Sequence, residues 1–264
     1  MRRTPTNGRK PGGWVPISDP EGLYSTGIPD FDRILGGGFK RGSLALFEMD
    51  ETVGQEDLDL LLFPTILNLL YQSRGVIAVL PSADSPHSFR SRMSRFVTRR
   101  RFDNRVRVVD YVGEDEGPAY VVSLKGFHFD PKHARAKNPK TVAADMAKME
   151  AAEKAAQGHR RKSFLELNAI EVADTLAGGA EASRMFLYGV KRARSVGNLV
   201  IGLLSPGVQC APVVRRMADT KFSLHRDPVG LIIRGLRPSF PTYVVTEDQA
   251  AGPPHAVFIP RPPS

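Results

Sequence analysis

The chain contains 264 residues, of which 41% are hydrophobic, so it is long enough to bury the core of one large domain. Its single cysteine, Cys210, excludes an internal disulfide and favours a reducing compartment, and no apolar stretch is long enough to span a bilayer. The formal net charge of +9 favours acidic partners. We therefore expect a cytoplasmic protein with no membrane partner.

The first 24 residues read as an arm that precedes the domain. They are rich in proline and glycine, they are basic at the start, and they lack the apolar segment of a signal peptide. We expect a disordered basic arm over residues 1–24, followed by one domain over residues 25–264.

Short apolar runs alternate with helical patterns along most of the domain. The runs predicted as strands are residues 44–47, 76–80, 106–109, 119–123 and 199–204. The patterns predicted as helices are residues 56–73, with a kink at Pro64, 85–101 and 181–195. Such alternation predicts an α/β fold with a mainly parallel central sheet flanked by helices. After Met217, the runs KFSLHR, GLIIRGL and TYVVTED predict antiparallel C-terminal β-hairpins.

Residues 131–163 interrupt this alternation and read as a charged helical insertion. They carry nine lysines and arginines against three acids. Asn138 is a candidate N-cap, Pro139 suits the first helical position, and Gly158 closes a helix over residues 140–157. Because this helix is polar on most of its faces, we expect it to be exposed.

The segment STGIPDFDRILGGGFKRGS, residues 25–43, leads into the first predicted core strand and a loop written FEMDETVGQEDL. This segment resembles the entry of a RecA-like ATPase domain of the KaiC type. The resemblance extends over residues 25–127 and 164–260, and it implies the RecA-like P-loop NTPase fold. The loop LFEMDE also has a short similarity to the RecA-like Elongator subunits, which keep this fold and assemble into rings that bind RNA.

The resemblance places a degenerate phosphate-binding loop after the first core strand. The family's lysine falls on Gln55, its hydroxyl positions fall on Glu56 and Asp57, and its first glycine falls on Met49. The degenerate loop consists of Met49, Asp50, Gly54, Gln55, Glu56 and Asp57. Loss of the lysine removes a contact of about 1.5–3 kcal/mol, and each nearby carboxylate adds about 3 kcal/mol of repulsion at about 6 Å.

No ATP cofactor is therefore expected at this loop. Two other interpretations of its acids stay open. A metal ion held by Asp50, Glu56 and Asp57 could bridge to a phosphate, or Glu56 and Asp57 could simply favour the dipole of the following helix.

Two further features of the family are missing. The pair of acids that follows the second strand is reduced to Ala83 and Asp84, and the strand that should end in a magnesium-binding aspartate ends in Asn168 or in Ser123. Because phosphoryl transfer depends on positioning and charge stabilisation, these losses predict a pseudo-ATPase with no catalytic residues and no metal site.

Basic residues form the candidate partner surfaces. A helix over residues 85–101 would bury Phe89, Met93, Phe96 and Val97. The i, i+3, i+7 spacing would place Arg92, Arg95 and Arg99 on one outer stripe. The candidate surface residues are Arg92, Arg95, Arg99, Arg100, Arg101, Arg160, Arg161 and Lys162. Near the positions where the family reaches a neighbouring subunit's nucleotide, the candidates are Arg234 and Arg237.

These features predict a catalytically inactive scaffold or regulatory subunit that assembles with itself or with a related RecA-like subunit. The first alternative is a sequence-tolerant nucleic-acid-binding protein, for which about six phosphate contacts imply a log–log salt slope of about −5. The second alternative is an ATP-binding protein with a non-standard phosphate loop. Solvated arginines without a partner are the remaining interpretation of the basic surface.

Overall fold

The structure is a computed structural model that describes residues 15–111, 117–124, 139–158, 162–248 and 255–262. The helices are α1 (Pro29–Ile34), α2 (Gln55–Tyr71), α3 (Pro86–Met93), α4 (Arg99–Arg105), α5 (Pro139–Gln157), α6 (Ile170–Ala177), α7 (Gly179–Val196) and α8 (Ala211–Met217). The strands are β1 (Leu23–Tyr24), β2 (Phe39–Lys40), β3 (Leu44–Met49), β4 (Val76–Val79), β5 (Val106–Asp110), β6 (Val121–Ser123), β7 (Leu165–Ala169), β8 (Leu199–Leu204), β9 (Thr220–Asp227), β10 (Gly230–Arg237), β11 (Ser239–Asp248) and β12 (His255–Pro260). No helix in these ranges combines the length and the apolarity needed to cross a bilayer.

One sheet of ten strands organises the domain, in the order β12-β11-β10-β9-β3-β8-β7-β4-β5-β6. The strands from β9 to β6 in this order are parallel to one another, whereas β10, β11 and β12 continue the sheet as antiparallel hairpins. The predicted mixed α/β fold, with its parallel centre and its C-terminal hairpins, is confirmed. Because β3 and β8 are covered on both faces, nearly all of their residues are buried.

The two faces of the sheet bury separate apolar clusters. Alternate residues of β3 divide between them, so that Ala45 and Phe47 pack with α2, α3 and α4, whereas Leu44 and Leu46 pack with α7 and α8. This division follows from the two-residue period of a strand. The helices α2 to α4 therefore lie on one face, and α7 and α8 lie on the other.

The single helix predicted over residues 85–101 is wrong, because the segment forms α3 and α4 with a break at residues 94–98. Each of the two helices has its own N-cap, and the cap of α4 favours the break. The Ser85 hydroxyl accepts a hydrogen bond from the Ser88 N–H at the start of α3, and the Thr98 hydroxyl accepts one from the Arg101 N–H at the start of α4. By contrast, α2 runs from Gln55 to Tyr71 as one helix with Pro64 inside it.

The helix predicted over residues 140–157 is present as α5, but one of its faces is not exposed. Ala152 and Ala156 are buried against Ile77 and Val79 of β4, so α5 packs on the sheet as the crossover between β6 and β7. The small alanine side chains allow α5 to approach the sheet closely. Because most of the other residues of the helix are polar, the sequence did not indicate this buried face. The predicted N-cap, Asn138, lies outside the described residues.

The predicted disorder of residues 1–24 is wrong for the end of this segment, because Ile17 and Asp19 are bonded to the domain. The Asn68 amide of α2 donates to the Ile17 carbonyl at 3.1 Å, and its oxygen accepts from the Ile17 N–H at 2.7 Å. Asp19 forms an ion pair with Arg74 at 3.0 Å, where the Asp19 side chain is 5% exposed. Residues 1–14 lie outside the described ranges.

Candidate phosphate-loop site and arginine face

The degenerate loop lies between β3 and α2, at the carboxyl edge of the parallel strands. β3 ends at Met49, a turn follows over residues 50–53, and Gly54 is the N-cap of α2. The Asp50 carboxylate accepts hydrogen bonds from the N–H and the hydroxyl of Thr52, and these bonds lower the pKa of Asp50. The loop is therefore ordered by one of its own acids.

Asp57 supplies the anion at the N-terminus of α2. Its carboxylate accepts a hydrogen bond from the Gly54 N–H at 3.0 Å and forms an ion pair with Arg226 of β9, and its side chain is 4% exposed. The Arg226 N–H in turn donates to the Thr52 hydroxyl at 2.7 Å. The N-terminus of a helix attracts anions through its dipole and its free N–H groups. The Asp57 carboxylate supplies this anion in place of a phosphate.

Gln55, at the position of the family's lysine, is directed to a second acidic network. Its side-chain amide donates to Asp59 at 2.9 Å, and the Arg92 guanidinium lies between Asp59 and Asp84 with N···O distances of 2.6 Å to each. Burial raises the pKa of Asp59, whereas hydrogen bonding to Asp84 raises the pKa of Arg92. Asp84, the remaining acid of the family's pair, is 3% exposed and is occupied by this ion pair.

The strand that lies two positions from β3 in the sheet is β7, and Asn168 stands near its carboxyl end. A nearby acid, Glu171 in the first turn of α6, was missed by the sequence reasoning. Burial raises the pKa of Glu171, against hydrogen bonds from the backbone of Ser82 and from the side chain of Ser205. Its position directly after β7 was the feature of the sequence that could have indicated it.

No group of three or more His, Cys, Asp or Glu side chains that could hold a metal ion occurs in the part of the chain that the structure describes. Such a group is what a metal bridge between Asp50, Glu56 and Asp57 would require. Cys210 is buried at 1% exposure, and burial together with the Asp174 carboxylate raises the pKa of its thiol to about 12. A thiol held in this state is a poor nucleophile.

The arginines of residues 90–107 divide into an internal and an exposed group. Arg90 forms an ion pair with Asp103 at 3.0 Å, the Arg107 guanidinium donates to the Asp103 carbonyl at 2.8 Å, and Arg101 lies over the Tyr71 ring at 4.2 Å from its centroid. Together with the Arg92 ion pairs, these contacts account for much of the run as internal structure. The expected stripe of Arg92, Arg95 and Arg99 on one helix is therefore wrong at Arg92, whose side chain is 23% exposed.

The exposed group is Arg95, Arg99 and Arg100, which we call the arginine face. Arg95 lies in the link between α3 and α4, and its side chain has no hydrogen-bond or ion-pair partner among the described residues. Arg99 is 83% exposed and lies 3.5 Å from Asp103.

The other predicted surface residues are dispersed. Lys162 donates to the Gln72 carbonyl at the end of α2 at 2.8 Å, and Arg160 and Arg161 lie outside the described residues. Arg234 is exposed on β10, whereas the Arg237 guanidinium donates to the Ala218 carbonyl after α8 at 3.1 Å. A role of Arg234 and Arg237 at a subunit edge stays a prediction.

A cavity of about 590 Å³ lies beside α2, between the loop and the C-terminal hairpins. Leu60, Phe63 and Leu231 contribute apolar lining, and Glu56 and Arg95 are at its polar boundary. The cavity therefore extends from Glu56 and Asp57 of the degenerate loop to Arg95 of the arginine face.

The fold matches those of two solved structures along most of the chain. A KaiC-like protein, PH0186 from Pyrococcus horikoshii, aligns over 89% of this chain and 98% of its own chain with a TM-score of 0.59 and 14% identity. The flagellar accessory protein FlaH from Methanocaldococcus jannaschii aligns over 87% of this chain and 94% of its own, with a TM-score of 0.51 and 12% identity. The protein therefore has the RecA-like fold of KaiC-like proteins, as its sequence predicted.

A more particular similarity concerns the N-terminal part of the chain. Residues 13–124 match the family model described as GvpD basic region 2. Protein GvpD1 of Halobacterium salinarum is 33% identical over 106 residues, which are 40% of this chain, and protein GvpD2 of the same organism is 33% identical over 101 residues, or 38%. The match spans about a fifth of the length of these curated relatives, 20% in each.

Proposed function

We propose that this protein is a RecA/KaiC-like scaffold or regulatory subunit that does not hydrolyse ATP and that acts through the arginine face. The observation that carries the proposal is the Asp57 carboxylate at the N-terminus of α2, held by the Gly54 N–H and by Arg226. This internal anion stands where a phosphate-binding loop would receive its ligand.

The energies favour the internal anion over a nucleotide. A triphosphate would have to displace the Asp57 carboxylate from Arg226 or meet its charge at about 3 kcal/mol of repulsion. It would also lack the contact of about 1.5–3 kcal/mol that the family's lysine supplies at the position of Gln55. Together these amounts correspond to a loss of about three to four orders of magnitude in affinity. Asp84 is held by Arg92, so it is not available to activate a water molecule.

The arginine face supplies the second part of the proposal. Arg99 and Arg100 stand in the first turn of α4, where the helix dipole disfavours each cation by about 0.3–1 kcal/mol. The helix dipole therefore does not account for them, and only Arg99 has a compensating ion pair within α4, with Asp103. An acidic partner would account for both. The similarity to the model described as GvpD basic region 2 includes this part of the chain and supports the same interpretation.

Equilibrium binding of a fluorescent ATP analogue, with and without Mg²⁺, tests the first part. We expect no binding by the natural protein up to about millimolar nucleotide. Mg²⁺-dependent binding in the micromolar range would contradict the proposal and would favour an ATP-binding protein with a non-standard loop. The triple variant Gln55→Lys, Glu56→Ser and Asp57→Thr restores the family's residues. Binding by this variant alone would identify a site disabled by these three positions.

Charge reversal of the arginine face tests the second part. We expect the variant Arg95→Glu, Arg99→Glu and Arg100→Glu to remove assembly with an acidic protein surface or with another subunit, measured by analytical ultracentrifugation. Arg216→Glu, at an exposed position on α8, is the control, and it is compared with each of the three single reversals as well as with the triple variant. The nucleic-acid alternative predicts instead a salt-dependent affinity for duplex DNA, and three phosphate contacts give a slope of about −3.

A further inference from the structure

Helix α7 has a second stripe that the core does not use. Its buried stripe consists of Ala182, Phe186, Val190 and Ala193, which pack against the sheet. On the other side of the helix, Leu187 is 49% exposed and Tyr188 is 66% exposed. A solvated helix face needs neither of these side chains, and two of the seven large exposed hydrophobic residues among the described residues occur here side by side.

These side chains border a groove between α7 and the end of α8, which we call the α7 groove. It has a volume of about 510 Å³, and its lining residues are Arg184, Leu187, Tyr188, Val190, Lys191, Arg194 and Met217. The lining therefore combines an apolar floor with three cations and contains no acid. Arg184 and Arg194 have ion-pair partners in Glu181 and Asp219, whereas Lys191 has none in the part of the chain that the structure describes.

From these observations we infer that the α7 groove binds an amphipathic helix of a partner protein, with an apolar stripe flanked by aspartate or glutamate. Lys191, whose charge is not compensated by an ion pair among the described residues, complements the acids of such a helix. The exposed side chains of Leu187 and Tyr188, together with Met217, contact its apolar side chains. Arg184 and Arg194 are separated by ten residues of helix, which is about 15 Å, so the groove matches about three turns of a helical ligand.

The chemistry of the floor favours a protein over a nucleic acid. Single-stranded nucleic acids need aromatic platforms on which bases stack, and Tyr188 is the one aromatic residue in the lining of the groove. The groove is also separate from the arginine face, because α7 and α4 lie on opposite faces of the sheet. Variants of the groove therefore leave the proposed function unchanged, and the two proposals fail independently.

Selection from a phage-displayed library of short helical peptides tests the inference on the full chain. We expect the enriched peptides to carry an apolar stripe with acids beside it. Each enriched peptide, labelled with fluorescein, should lose about thirtyfold or more in affinity for the variant Leu187→Ser and Tyr188→Ser. The matched control is Val229→Ser, which removes a side chain that is 67% exposed in the turn between β9 and β10. Because all three positions are exposed, each variant should keep the circular dichroism spectrum and the urea midpoint of the natural protein.

A charge variant distinguishes specific binding in this groove from non-specific hydrophobic binding. Lys191→Glu should weaken binding of the acidic peptides and reduce its dependence on salt. Enriched peptides without acids, or peptides that bind the double serine variant as tightly as the natural protein, would overturn the inference. It would also be overturned if the double serine variant abolished self-association of the protein or its binding to single-stranded nucleic acid.

Discussion

Replacing Arg92 by methionine removes the cation that lies between two largely buried carboxylates. Asp84 is 3% exposed and Asp59 is 17% exposed, and Arg92 is the ion-pair partner of both. Removal of one member of a buried ion pair typically costs about 3–5 kcal/mol, because the remaining charge is left without a partner. Since Arg92 itself is 23% exposed, water can reach part of the site, and we expect a cost of about 3 kcal/mol.

Urea denaturation at pH 7 measures this cost, with Arg95→Met as the matched control. Arg95 is exposed, and its replacement should change the free energy of unfolding by less than about 0.5 kcal/mol. The cost of Arg92→Met should also fall at lower pH, because burial raises the pKa of Asp59 and its protonation removes one of the unpaired charges. A cost below about 1 kcal/mol at pH 7 would refute the reasoning and would return Arg92 to the outer stripe that the sequence suggested.

Three further predictions concern other parts of the fold. Burial raises the pKa of Glu166 from 4.5 to about 7. Between these two pH values Glu166 is protonated in the folded state and ionised in the unfolded state, so the free energy of unfolding falls as the pH rises across this range. Glu166→Gln should therefore stabilise the protein by up to about 3 kcal/mol at pH 8 and leave it unchanged at pH 4, and a gain independent of pH would contradict this. Gly38→Ala should destabilise the protein by more than about 2 kcal/mol in the same urea assay, because φ is +123° and the new Cβ would lie 2.1 Å from the Tyr24 carbonyl oxygen. The control Gly36→Ala, at φ +73° in open space, should cost about 1 kcal/mol. Cys210 should react with iodoacetamide at pH 8 about a thousandfold more slowly in the folded than in the unfolded protein, because its pKa is raised from 9.0 to about 12. Equal rates would show an accessible thiolate.

The sequence reasoning succeeded where a local pattern has one structural solution. Short apolar runs such as residues 199–204, set between helical patterns, are typical of strands buried on both faces of a parallel sheet, and this run forms β8. The glycine-rich segment before β3 and the altered residues of the following loop were equally visible, because the resemblance aligns that loop without gaps.

The errors occurred where the outcome depended on which side chains meet in space. Arg92 was assigned to an outer stripe from its spacing, but Asp59 and Asp84 come from other parts of the chain, and only their approach turns this arginine inwards. The prediction that α5 is exposed was wrong for a related reason. Ala152 is buried, but alanine is too small to indicate a buried face in the sequence.

The sequence by itself determined the fold class, because hydrophobic periodicity is a local property. It also predicts the loss of the phosphate-binding residues, because that prediction needs only the identity of each residue in the loop. The tertiary structure decided that Asp57 pairs with Arg226, which is 169 residues away, and that the basic run separates into internal arginines and an exposed arginine face. Folding determines whether a charged side chain is paired inside the protein or is exposed to bind a partner. The free energy of each ion pair depends on its burial and on the distance between the charges.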